Sequence, residues 1–126
     1  MIVAIIDDDE IFQFTTKVRL EKFNTVSEVL TFEDGEISFE HLNSCDLMPQ
    51  LILLDINMPI VDGWDFLELF KTISQEKQNS TQIYMVSSSI NPEDLDRAKT
   101  STSIEQYLTK PLIDGDLEKI FNKKGE

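Results

Sequence analysis

The sequence predicts an α/β domain, a doubly wound five-stranded parallel sheet with helices on both faces. Wholly apolar short runs, "MIVAII" at 1–6 and "LILL" at 51–54, fit strands buried on both sides. Amphipathic stretches of helical length alternate with strand-like ones from end to end. With 126 residues and 40% apolar composition, the chain is long enough to enclose one core without staples. Residues 1–126 therefore read as one domain with no output domain attached.

The elements follow in order. The first strand, 1–6, runs straight into Asp7, Asp8 and Asp9. Residues 10–22 repeat Ile11, Phe14 and Val18 at helical spacing, which predicts an amphipathic helix with that apolar stripe. "TVSEVLTF" at 25–32 reads as a strand through Val26, Val29 and Leu30, and 36–44 as a short helix through Ile37, Phe39 and Leu42. "LILL" ends in Asp55, and 62–74 predicts one helix with Phe66, Leu67, Phe70 and Ile73 on its stripe. "QIYMVS" at 82–87 is the fourth strand. Asn91-Pro92 starts a helix, with Asn as cap and Pro where its missing N–H costs nothing. "IEQYLT" at 104–109 is the fifth strand, and Leu117, Ile120 and Phe121 mark a closing helix.

Composition excludes several functions. Twenty-four acids against 11 bases give a net charge of −13, and the basic pair Lys123-Lys124 is too small to recruit a phosphate backbone, so direct nucleic-acid binding is not expected. No apolar run approaches the length of a membrane span, and the N-terminus has no basic leader. The single cysteine, Cys45, rules out an internal disulfide and fits a cytoplasmic location. Cys45 reads as a small helix-face residue, His41 as a surface residue and Trp64 as packing. Without a dimerising segment the expected state is a monomer.

In a parallel sheet the strands' carboxyl ends share one edge, where ligands of open α/β sheets bind. That edge would gather Asp7, Asp8 and Asp9, then Asp55, Ser87 and Lys110. Crowded carboxylates resist joint ionisation unless a hard cation such as Mg²⁺ or Mn²⁺ holds them together. Beside such an ion a carboxylate is a nucleophile toward phosphorus, an ammonium offsets charge on the phosphoryl oxygens, and a hydroxyl can donate to the product. Asp9 alone reads as a helix cap.

The stretches "AIIDDD", "LILLDINMPIVDGW", "MVSSS" and "QYLTKPL" together resemble the receiver domain of two-component response regulators, of the stand-alone chemotaxis type. The resemblance implies the flavodoxin-like strand order 2-1-3-4-5, with Asp55 as phosphoacceptor. It makes Asp8 a direct metal ligand, Asp7 a second acid holding the ion, and Asn57 a ligand through its backbone carbonyl. It makes Ser87 the sensor of the phosphoryl group, Lys110 its contact, Tyr107 an aromatic that swings inward with Ser87, and Lys110-Pro111 a cis peptide bond. The implied donor is a histidine kinase or a histidine phosphotransfer protein, and the implied output is altered binding of a downstream protein. The hydroxyl is Ser where the family commonly has Thr, and the following small residue is Ser88. Ser89 and Asn57 lie two residues beyond the hydroxyl and the phosphoacceptor, where they could tune water access.

Two rival readings compete. Asp7-x-Asp9 resembles the opening of haloacid-dehalogenase-type phosphatases, with Asp7 as nucleophile and Ser87 and Lys110 in later motifs. However, Asp114 and Asp116 follow the lysine too soon, and "DINMP" is left unexplained. A degenerate receiver that only binds protein is disfavoured by its intact acids, hydroxyl and lysine.

Overall fold

The computed structural model describes residues 1–88 and 91–125, with side chains as far as Phe121. Ser89 and the Lys123-Lys124 side chains lie outside the described residues. Five strands, β1 (Ile2–Ile6), β2 (Glu28–Phe32), β3 (Leu51–Asp55), β4 (Gln82–Ser87) and β5 (Gln106–Thr109), form one parallel sheet in the order β2-β1-β3-β4-β5. The helices are α1 (Glu10–Leu20), α2 (Gly35–Ser44), α3 (Gly63–Phe70), α4 (Gln75–Asn79), α5 (Pro92–Thr100) and α6 (Asp114–Gly125).

The central strands are buried on both faces, so alternate residues feed two cores. Val3, Ile5, Leu51, Leu53, Tyr84 and Val86 point to one side, where Phe12 and Leu20 of α1 and Leu117, Ile120 and Phe121 of α6 cover them. Ala4, Ile6, Ile52, Leu54, Ile83 and Met85 point to the other, beneath Leu42 of α2 and Trp64, Phe66, Leu67 and Phe70 of α3. The edge strands are shorter than the 25–32 and 104–109 runs suggest, and each buries only one residue, Val29 or Leu108.

Three helices depart from the sequence pattern. In α1 the apolar stripe faces outward, with Ile11 76% and Phe14 69% exposed, while Phe12, Gln13, Thr16 and Leu20 face in. In α2, Ile37 is likewise exposed, and Leu42 carries the burial. The helix expected over 62–74 stops early: α3 ends at Phe70 with Lys71 as its C-cap, and Ser74 caps a separate helix, α4, by accepting from the Lys77 N–H, with Ile73 buried in the turn between them. The Lys77 ammonium then donates to the carbonyls of Leu42 and Asn43 at the end of α2 (2.9 and 3.0 Å), where it meets the negative end of that helix. Cys45 caps α2, and His41 lies exposed against Phe32.

Helix α5 buries none of its residues. Trp64 of α3 holds it, donating its indole N–H to Asp94 (2.9 Å) while the Arg97 guanidinium sits 4.5 Å over its ring.

Gly63 opens α3 hard against the end of β3. A Cβ there would lie 2.6 Å from the Asp55 carbonyl oxygen and 2.8 Å from the Ile56 Cα, both backbone atoms that cannot swing aside. Gly63→Ala should therefore destabilise the fold by about 1–3 kcal/mol through overpacking, read as a lower urea midpoint. It should also disturb the Asp55 backbone, read as shifted amide resonances around residue 55.

Candidate functional site

Backbone pairing continues one residue past the strand ends and fixes the polar tips in line. The Asp7 N–H donates to the Phe32 carbonyl (2.9 Å), the Ile56 N–H to Val86 (3.3 Å) and the Lys110 N–H to Ser87 (2.8 Å). Asp55 lies opposite Val86, and Ser87 opposite Thr109. Asp7, Asp8, Asp55, Ser87 and Lys110 therefore share the carboxyl edge of the sheet.

Asp7, Asp8 and Asp55 each bring a carboxylate oxygen within 4.8 Å of the others. Asp7 is 1% and Asp55 5% exposed, whereas Asp8 faces solvent. The Lys110 ammonium lies 2.6 Å from Asp7 Oδ2 and 3.5 Å from Asp55 Oδ1. Asp7 Oδ2 is buried and has no regular hydrogen-bond partner among the described residues; its contact is the ion pair with the Lys110 ammonium. Asp7 Oδ1 accepts from the Asp9 N–H (2.9 Å). Three acids face one cation, and an oxygen with unused capacity lies among them. That donor set, all hard oxygen with excess negative charge, fits a divalent ion such as Mg²⁺ or Mn²⁺.

The charges on this edge bear out the strain. Burial, then the charge of Asp7, push the Asp55 carboxyl up to about 7, and Lys110 only partly offsets them. Burial also raises Asp7 against the pull of Lys110. For Lys110, burial alone would lower its pKa, but Asp7 and Asp55 more than reverse this and leave it raised.

Asn57 is exposed in the loop after β3, and the next turn holds Ile60 at φ 69°, a left-handed conformation that a β-branched residue rarely adopts. Ser87 is fully buried at the tip of β4. Tyr107 is half-buried on β5 and lines a cavity of about 360 Å³ with Leu95, Ala98 and Ile104. The Lys110–Pro111 peptide bond is cis. Asp9 caps α1, accepting from the N–H groups of Ile11 (3.0 Å) and Phe12 (3.2 Å). Asp114 pairs with Arg19 (2.6 Å), and Asp116 accepts from the Ile113 N–H (3.0 Å). These three acids have structural employment away from the cluster.

Two residues around the site were not anticipated, Phe12 and Gln13. The buried Gln13 amide donates to the carbonyls of Asp7 (2.5 Å) and Phe32 (3.1 Å), tying the ends of β1 and β2. The Phe12 ring lies 4.4 Å from the Lys110 ammonium. The available signal was the second stripe of α1, Phe12, Thr16 and Leu20 at intervals of four, which the more apolar outer stripe outweighs.

The folded chain holds the Asp55 proton to about pH 7, whereas the ordinary value is 3.8. Between those values the folded form binds more protons than the unfolded one, so this contribution to stability falls as pH rises and is gone above the folded value. The shift at Asp7 acts in the same direction. Without divalent metal, wild type should lose about 2–3 kcal/mol relative to Asp55→Asn from about pH 5 to about pH 7.5, measured by urea unfolding in EDTA. Added Mg²⁺ should restore wild type at the upper pH far more than the variant.

The family profile for the response regulator receiver domain matches residues 3–122. Protein PilG of Pseudomonas aeruginosa is 34% identical over 110 residues, covering 87% of this chain and 76% of that protein. The probable methanogenesis regulatory protein FilR2 of Methanothrix harundinacea is 25% identical, covering 94% and 77%. Among solved structures, a two component response regulator from Cytophaga hutchinsonii superposes with a TM-score of 0.84 at 34% identity, covering 97% of this chain and 94% of that one. A response regulator receiver protein from Dyadobacter fermentans gives 0.87 at 28%, covering 98% and 96%. With the acid-lined edge of a parallel sheet already in view, these matches agree on one conclusion: the chain belongs to the response regulator receiver domain family.

Proposed function

We propose that residues 1–126 act as one cytoplasmic receiver unit that takes a phosphoryl group on Asp55 from the phosphohistidine of a histidine kinase or histidine phosphotransfer protein. The observation that carries this is the meeting of Asp7, Asp8 and Asp55 within 4.8 Å, with Lys110 3.5 Å from Asp55. An Asp55 oxygen attacks phosphorus, the P–N bond breaks, and the donor imidazole keeps the electron pair and takes up a proton. Lys110 offsets the charge on the phosphoryl oxygens. Asp7, Asp8, Asp55 and the Asn57 carbonyl would hold Mg²⁺ or Mn²⁺, which when bound would supply Lewis-acid neutralisation of phosphoryl charge.

The aspartyl phosphate adds about −1.5 to −2 charge and three acceptor oxygens. Ser87 donates to it, and Tyr107 follows toward the interior; the cavity shared with Leu95, Ala98 and Ile104 gives the ring room to move. The lightly held face of α5 and β5 then changes its affinity for a downstream protein, a population shift driven by contacts made in one arrangement only. Ile11 and Phe14 on α1 and Ile113 beyond β5 offer exposed apolar area beside the edge for the phosphodonor. Receiver domains are signalling modules rather than substrate-turnover enzymes, and no helix among the described residues is long and apolar enough to cross a membrane.

Labelled phosphoryl should transfer from a phosphohistidine donor to wild type in Mg²⁺ and be absent from Asp55→Asn. EDTA should reduce wild-type labelling by at least about a hundredfold, given the loss of the main charge stabilisation. Equal labelling of wild type and Asp55→Asn would overturn the assignment. Multiple-turnover release of phosphate from small phosphate esters that survives Asp55→Asn but is lost in Asp7→Asn would point instead to the phosphatase reading.

A further inference from the structure

We propose that Phe12 is a positioning residue for Lys110: its ring holds the ammonium at the site by cation–π attraction, independently of the acids that the metal engages. The inference deepens the phosphoacceptor reading and, for its functional consequence, rests on it.

Lys110 has a long flexible stem, and holding its head in one place costs rotamer freedom. Its tightest partner is Asp7, at 2.6 Å, while Asp55 lies at 3.5 Å. Asp7 is also one of the acids suited to a divalent cation, and an ion there takes up the charge that restrains the ammonium. The Phe12 ring, 4.4 Å from Nζ, does not share that weakness. It attracts a cation through its quadrupole and offers nothing to a metal, so its pull persists when the carboxylates are engaged. The ring is itself fixed, because Phe12 is buried in the core that α1 makes against the sheet.

The same helix steadies the base of the lysine. Arg19, two turns along α1, donates to the Leu112 carbonyl and pairs with Asp114 (2.6 Å), which anchors the loop just past Pro111. The Lys110 N–H is fixed to Ser87 (2.8 Å). Backbone, following loop and head are thus each restrained, the head by an uncharged surface along which it can shift from Asp7 toward incoming phosphoryl oxygens.

A double-mutant cycle with a phosphoryl mimic tests this. Beryllofluoride affinity in Mg²⁺ would be measured for wild type, Phe12→Leu, Lys110→Ala and the pair. Phe12→Leu, which keeps an apolar side chain, should weaken the mimic roughly three- to tenfold, yet change nothing further in Lys110→Ala. Phe12→Tyr should retain wild-type affinity within about twofold, since the ring face survives. Mg²⁺ affinity, read by Trp64 fluorescence, should be the same in wild type and Phe12→Leu. Equal weakening with and without Lys110 would overturn the proposal, because the ring would then only be filling space; so would an unchanged affinity in Phe12→Leu.

A second arm is independent of phosphoryl chemistry. Ring current should move the Lys110 ε-methylene proton resonances upfield in wild type, and the shift should vanish in Phe12→Leu. If wild type bound no mimic but showed this shift, the phosphoacceptor reading would fail while the placement of Lys110 by Phe12 held. Absence of the shift in wild type would overturn the placement itself.

Discussion

The constraint on which the site depends is an electrostatic deficit. Asp7 and Asp55 are almost completely desolvated, Asp8 sits beside them, and among the described residues Lys110 is the cation that pairs with them. Buried carboxylates in that ratio do not all ionise, which is why Asp55 holds its proton to about pH 7. A divalent ion would resolve the deficit, as protonation does, and the two would compete. The fold thus keeps a strained arrangement that a cation relieves, at the sheet edge where the β–α connections leave access.

What holds that strain is the sheet. The inner strands contribute almost nothing polar until their last residue, so two cores clamp them in register from both faces. The side chains at the tips inherit this rigidity. Gly63 permits the chain to turn back against the Asp55 carbonyl, and the Gln13 amide bridges the carbonyls that end β1 and β2. Each stands next to a charged group without touching a reacting one, and each limits how far the acids can relax apart.

Much of this was legible in the sequence. The strands announced themselves because double burial makes them continuously apolar, and a parallel sheet sends their polar ends to one edge whatever the loops do. That reasoning reached Asp7, Asp8, Asp55, Ser87 and Lys110, and it read Asp9 as the cap it is. It failed on α1. Apolar periodicity names a face of a helix but not the side on which the sheet lies, and here the outer face carries Ile11, Phe14 and Val18 while the inner one includes Gln13 and Thr16. A buried glutamine satisfied by two carbonyls looks polar in sequence and behaves as core. The break between α3 and α4 was hidden for a related reason: Ile73 keeps the helical stripe in phase, yet it is buried from a turn.

The two flanks of the site differ in how firmly they are held, and this difference gives the chemistry a direction. On the β1 side, α1 is capped by Asp9, packed through Phe12 and Leu20, and bonded to two strand ends through Gln13. On the β4–β5 side, α5 buries no residue; it is held by the Trp64–Asp94 hydrogen bond and the Arg97–Trp64 stack, and a cavity of about 360 Å³ lies between it and Tyr107. A group that adds charge between these flanks pulls on both, and displacement follows the smaller resistance. On the proposed reading, the acids and the helix behind them would be the fixed anvil, and Ser87, Tyr107 and α5 the part that yields. Trp64, one residue past Gly63 and therefore tied to the backbone of Asp55, is the physical joint between the two.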